Sequence, residues 1–147
     1  MSEDCIFCGI VAGDSPAHVV HEDETTVAFL DANPLAPGHT LVVPREHHER
    51  LAGMPAGLAR DVFGTMHQLV PAVEAAVDAD AANVGFNDGE VAGQVVPHVH
   101  GHVIPRFSDD GGRPIHAVSP SGEQMDDDEL ADVAGDVSAA LGDAPRE

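Results

Sequence analysis

Apolar and polar residues alternate from Pro97 to Arg106, with His98, His100 and His102 on one parity and Val99, Gly101 and Val103 on the other. Alternation with period two predicts a strand carrying three imidazoles on one face and the valines on the opposite face. At roughly 3.3 Å per residue His98 and His102 stand about 13 Å apart, too far for all three rings to share one metal ion on a straight strand. Shorter runs rich in Val and Thr, His18 to His21 and Thr25 to Leu30, predict two more strands around the acidic turn Glu22-Asp23-Glu24. His39 to Val43 reads as a fourth, stopped by Pro44, and Asn83 to Asn87 as a fifth. From Pro55 to Asp78 the spacing of Leu58, Val62, Met66, Leu69, Val73 and Val77 is helical. Pro55 suits a first turn, Pro71 is expected to kink or split the helix, and Met66 and Phe63 are expected in the core. His18, His21 and His67 read as surface residues. A last helix, about 126–142, follows from the stripe Leu130, Val133, Val137 and Leu141, with Asp126, Asp127 and Asp128 at its positive end.

Between these elements lie Cys5 to Val11, which opens the fold, and a turn at Gly13 to Pro16. The loop Asp31 to Gly38 holds two prolines, Asp88 to Gln94 is glycine-bearing and leads into the histidine run, and 108–122 is irregular. Five strands and two or three helices make an α+β fold, expected as one domain over residues 1–147.

Composition changes this picture in two ways. Twenty-six Asp and Glu oppose six basic residues, all Arg, for a net charge of −20. No basic footprint exists for phosphate backbones, so nucleic acid is excluded as a partner. The acidic residues are dispersed along the chain, which resembles proteins of salt-accumulating halophiles; molar salt shortens the screening length to about 3 Å. No apolar run approaches the roughly 18 residues of a membrane span and no signal-peptide pattern opens the chain, so a cytoplasmic protein without a membrane partner is expected.

The candidate chemistry rests on histidine and cysteine. Imidazole is neutral near pH 7 and serves as nucleophile or proton carrier. Cys5 and Cys8 form one Cys-x-x-Cys, half of a zinc site unless two more ligands join it; otherwise they are a reduced thiol pair. A catalytic metal held by His98 and His100 is geometrically allowed, but it leaves the thiols and the Gly93-Gln94 loop unexplained.

The histidine run resembles the signature of the histidine triad (HIT) superfamily, His-φ-His-φ-His-φ-φ with φ apolar. Cys5-Ile-Phe-Cys8, Ala28-Phe29-Leu30-Asp31, Pro37-Gly38-His39-Thr40-Leu41-Val42-Val43-Pro44 and Asn87-Asp88-Gly89-x-x-x-Gly93-Gln94 resemble further family blocks, in family order, over residues 5–107. The resemblance implies a HIT-like fold with a five-stranded antiparallel sheet and a homodimer joining two such sheets. It implies cleavage at the α-phosphate of a purine nucleotide conjugate, with His100 as nucleophile, His102 stabilising the phosphoryl oxygens and His39 assisting. Asn87, Gly93 and Gln94 would surround the phosphate, Asp31 would accept the ribose hydroxyls, and Phe7, Ile10 and Phe29 would pack on the base. Core packing alone also accounts for the three apolar residues, and a turn cap for Asp31. Arg106 adds charge to the site or lies at the surface.

The resemblance to zinc-bearing prokaryotic members also implies a structural zinc on Cys5, Cys8, His47 and His98, with His48 as the alternative to His47. The short chain is more similar to the Hint-like branch, a nucleoside phosphoramidase, than to the dinucleoside polyphosphate hydrolases. Two positions depart from the pattern. Gly101 replaces an apolar residue and predicts looser packing behind the histidines, and Val95 stands where many members carry Ser or Thr. A nucleotide-binding regulatory module with little turnover is the competing reading.

Overall fold

The computed structural model describes residues 4–119, 122 and 124–142. Its elements are α1 (Ile6–Ala12), β1 (Val19–Glu22), β2 (Thr26–Leu30), β3 (Thr40–Pro44), α2 (Ala56–Val77), β4 (Ala81–Phe86), β5 (Gly101–Arg106) and α3 (Asp127–Ala140). The five strands form one antiparallel sheet in the order β1-β2-β3-β5-β4. The chain divides into two compact units after Pro114. Among the described residues no helix is long and apolar enough to cross a membrane.

β2 and β3 are buried on both faces, which is why they read as short unbroken apolar runs. Ala28, Val42, Val99 and Val103 pack under α2 against Val62, Met66, Leu69 and Val73. Val27, Phe29, Leu41 and Val43 face the other way and pack with Cys5, Phe7 and Cys8 of the α1 segment. The histidine run sits with its valines in the first core and its imidazoles on the second side. Alternation therefore assigned the faces, although ladder pairing begins only at Gly101. His98 and Val99 are held instead by the Pro44 and His48 carbonyls.

Residues 6–12 fold as a helix, an element the sequence pattern left unassigned. Seven residues are too few to show a period, yet both ends are marked. The Cys5 sulfur accepts from the Cys8 N–H at 3.2 Å, and Gly13 takes the left-handed conformation (φ 83°) that ends the helix.

Two expectations are corrected and a third is narrowed. Of the kink or split expected at Pro71, the split does not occur, and α2 runs on as one helix. Pro71 and His67, whose carbonyl it deprives of a donor, are both exposed residues, and Val62, Met66, Leu69 and Val73 hold both halves to the sheet. Phe63 is not core: it is 49% exposed and meets Phe86 edge-on at 5.3 Å. Its neighbour Val62 takes the inward position, and one helical step of about 100° turns Phe63 to the flank. Packing at Gly101 is tight rather than loose. A Cβ there would meet Met66 Cε at 2.6 Å and Phe86 Cζ at 2.9 Å, because Met66 fills the space a side chain would take. Gly101→Val should therefore cost about 1–3 kcal/mol of unfolding free energy, read from denaturant titration.

In the second unit, Asp126 and Glu129 form a reciprocal capping box at the start of α3. The predicted stripe Leu130, Val133, Val137 and Leu141 is exposed.

Candidate functional site: a thiol–imidazole cluster beside three histidines

The N-terminus of α1, the loop after β3 and the entry to β5 converge on four side chains. Cys5 Sγ lies 3.3 Å from His98 Nδ1, Cys8 Sγ lies 3.3 Å from His47 Nδ1, and Cys8 Sγ lies 3.6 Å from His98 Nδ1. All four ligand atoms fall within 4.8 Å of one another, and three of the residues are buried. Zinc bonds of about 2.3 Å to sulfur and 2.0–2.1 Å to nitrogen place the S···N edges of a tetrahedron at about 3.5 Å, so the cluster fits that ion. His98 Nε2 donates to the Pro44 carbonyl at 2.9 Å, which leaves its Nδ1 lone pair aimed at the thiols. The structure also separates the two adjacent histidines. His47 joins the cluster, whereas His48 Nε2 pairs with Glu46 at 2.7 Å.

Next to this cluster stand His39, His100 and His102. His100 Nδ1 donates to the His98 carbonyl at 2.8 Å, so its Nε2 carries the lone pair. Phe7 packs edge-on against the His100 ring at 5.0 Å. His39 Nε2 lies 3.0 Å from His102 Nδ1 and 3.6 Å from Asp31 Oδ2. His102 Nε2 is buried and has no hydrogen-bond partner among the described residues. Burial depresses the pKa of every one of these rings. His102 falls to about 4, helped by repulsion from His100 and His39, and His98 falls to about 4 as well. His39 and His100 move the same way through burial, partly opposed by the Asp31 carboxylate and, at His100, by the bond to the His98 carbonyl. All are neutral at pH 7.

This has a consequence for acid stability. A histidine of depressed pKa takes up a proton more readily in the unfolded chain, so folding weakens as pH falls from about 6.5 toward about 4. Above pH 6.5 neither state binds the proton and the contribution is flat. Within the window the His102 ring should subtract at most about 1.4 kcal/mol per pH unit, less for solvent screening, checked by urea titrations at pH 4.5, 5.5 and 7.5.

The remaining candidates divide by what their atoms already do. Phe7 and Phe29 are buried core residues in edge contact at 5.4 Å, and Ile10 packs partly exposed against them. Asp31 does cap a turn, its Oδ1 accepting from the Asn33 N–H at 2.9 Å, while Oδ2 faces His39. Asn87 is exposed and its amide borders Gly93, which is left-handed at φ 103°. Gln94 is fully engaged within its loop. Its Oε1 accepts from the Gly89 N–H, and its Nε2 donates to the Glu49 and Val96 carbonyls. It therefore shapes the loop, with both of its side-chain N–H groups spent on main-chain carbonyls. Val95 is 87% exposed. Arg106 is tied to Asp110, Asn83 and the Arg113 carbonyl, bracing the turn after β5.

The sequence leads one to expect a fixed acceptor such as a main-chain carbonyl for the second nitrogen of His100, which the His98 carbonyl supplies, but it does not point to the Pro44 carbonyl or to the Leu35 N–H, which donates to His39 Nδ1 at 3.1 Å. No residue type announces such a group.

A five-stranded antiparallel sheet with this imidazole row defines a histidine triad protein. The sequence profile of the HIT domain matches residues 12–109, and the chain belongs to the HIT family. A HIT-like protein of Methanocaldococcus jannaschii is 47% identical over 107 residues, covering 73% of this chain and 82% of the relative. The adenosine 5′-monophosphoramidase of Schizosaccharomyces pombe is 37% identical over 120 residues, 79% of this chain and 87% of the relative. The crystal structure of a zinc-bound histidine triad family protein from Mycobacterium smegmatis superposes with a TM-score of 0.71 at 31% identity, covering 93% of this chain and 97% of that one.

Proposed function

We propose that the protein is a nucleotide hydrolase or transferase that cleaves purine nucleotide conjugates at the α-phosphate through His100. The carrying observation is the His100 ring, whose Nδ1–H is fixed on the His98 carbonyl so that a neutral, lone-pair-bearing Nε2 is presented. In the first step that lone pair forms an N–P bond while the bond from phosphorus to the leaving nitrogen or oxygen breaks. The leaving group takes the bonding pair and gains a proton. Water then attacks the nucleotidyl-His100, its oxygen bonding phosphorus as the N–P pair returns to the ring, and a nucleoside monophosphate and a proton are released. His102 stabilises the phosphoryl oxygens and His39 supports it; Asn87, Gly93 and the Gln94 backbone border the phosphate. Asp31 Oδ2 takes the ribose, and Ile10 backed by Phe7 and Phe29 takes the base. The activity of the Schizosaccharomyces pombe relative favours a nucleoside phosphoramidate as substrate, with dinucleoside polyphosphate as second choice. Adenosine 5′-phosphoramidate turnover in molar KCl, wild type against His100→Ala, tests the reading.

The binding-module alternative draws on Val95, which offers no hydroxyl to a departing amine. It prevails if AMP binds while neither protein turns over.

Zinc on Cys5, Cys8, His47 and His98 belongs to the same proposal as a structural ion. The metal would clip Cys5 and Cys8 to His98, two residues before the nucleophile, and it takes part in no step.

A homodimer completes it. β4 is an outer strand with one unpaired edge, and beside it Phe63, Val70, Val84 and Phe86 line a hollow of about 340 Å³ between α2 and β4. Two copies joined edge to edge would cover both. Phe63→Glu should convert the dimer to a monomer in light scattering, with the far-ultraviolet circular dichroism unchanged.

A further inference from the structure

His39, His102 and Asp31 bring three ligand-type atoms within 4.8 Å, a second grouping that could hold a metal ion. Hydrogen-bond direction decides what it is. A neutral imidazole has one N–H and one lone pair, so whatever fixes one nitrogen fixes the other. The Leu35 main-chain N–H can only donate, and it meets His39 Nδ1 at 3.1 Å. His39 Nδ1 is therefore the acceptor and its proton resides on Nε2. That N–H faces His102 Nδ1 at 3.0 Å, with the Asp31 carboxylate at 3.6 Å favouring the same placement. His102 Nδ1 must then accept, which puts the His102 proton on Nε2, the one buried side-chain polar atom without a partner among the described residues.

We infer that the Leu35 amide sets the polarity of a relay, Leu35 N–H to His39 to His102, that holds His102 as a hydrogen-bond donor toward the active site and withholds the grouping from metal. A metal would need the lone pair of His39 Nε2, and freeing it means moving that proton to Nδ1 and breaking the Leu35 bond. Leu35 and His39 are positioning residues; of the three members of the relay only His102 touches the substrate. The role rests on the hydrolase reading, since the donor matters as negative charge gathers on the phosphoryl oxygens. The loop geometry supports it. The Asp31 N–H closes onto the His39 carbonyl at 2.9 Å and the His39 N–H onto Ala36 at 3.1 Å, which holds the Leu35 amide over the ring.

Long-range ¹H–¹⁵N correlation spectra of the full-length protein with ¹⁵N-histidine read the tautomers directly. The expected result is a single Nε2–H form for His39 and for His102, unmoved by excess zinc. Replacing Leu35 by its α-hydroxy acid, which substitutes an ester oxygen for the N–H, should give His39 a mixture of tautomers. It should lower kcat about tenfold with KM unchanged. His39→Gln keeps an N–H toward His102 Nδ1 and should retain the His102 signal, whereas His39→Ala should mix it. A proton on His102 Nδ1 in the wild type, or a zinc-dependent shift of the His39 signal, overturns the inference. If the spectra are as expected but no phosphoramidate is cleaved, the relay stands and the hydrolase reading falls. If turnover is present with the opposite tautomer, only the relay falls.

Discussion

His100→Ala should reduce adenosine 5′-phosphoramidate turnover by at least about 10³-fold while leaving AMP binding within a few-fold of wild type. The asymmetry follows from the site. The substitution removes the only atom proposed to bond phosphorus, whereas the ribose and base contacts assigned to Asp31, Ile10, Phe7 and Phe29 lie on other elements. It also empties the space beside Phe7, at 5.0 Å, so a loss of stability of a kcal/mol or two accompanies it. Melting in the presence of AMP separates the two effects, because a folded, binding-competent and inactive variant is the expected outcome. Equal turnover in both proteins would remove His100 from the reaction.

Stripping metal should have the second large effect, on folding before chemistry. Structural zinc sites contribute on the order of 10 kcal/mol of apparent binding free energy, and the four proposed ligands come from α1, the loop after β3 and the entry to β5. Prolonged chelation, or Cys8→Ser, should lower the melting temperature by 10 °C or more and release one zinc per chain. Activity should disappear in step with unfolding rather than at first contact with chelator. Immediate loss of turnover without unfolding would instead point to an ion used in every cycle.

How far the sequence carried depends on the kind of information each residue holds. His98, Val99, His100 and Val103 displayed their faces because alternation survives even where pairing has not begun. β2 and β3 were readable as apolar runs, and α2 through its periodic Val62, Met66, Leu69 and Val73. The helix from Ile6 to Ala12 was opaque because its cap is a thiol, a residue outside the usual capping set. Phe63 misled because size suggests burial, while one position along a helix changes the side it faces. At Gly101 the missing side chain suggested slack, yet Met66, thirty-five positions earlier, supplies the volume. The donors and acceptors that orient the histidines belong to the main chain and leave no trace in residue type.

The reach of the thiol–imidazole cluster along the chain has a consequence in time. Cys5 and His98 are 93 residues apart. At translation rates of about 5–20 residues per second, the two thiols emerge roughly 5–20 s before the ring that completes their set. During that interval they are an open pair without the His98 ring beside them, exposed to oxidants and to thiophilic metals. Both thiols are buried in the folded protein, so they are most accessible to oxidants before the fold closes over them.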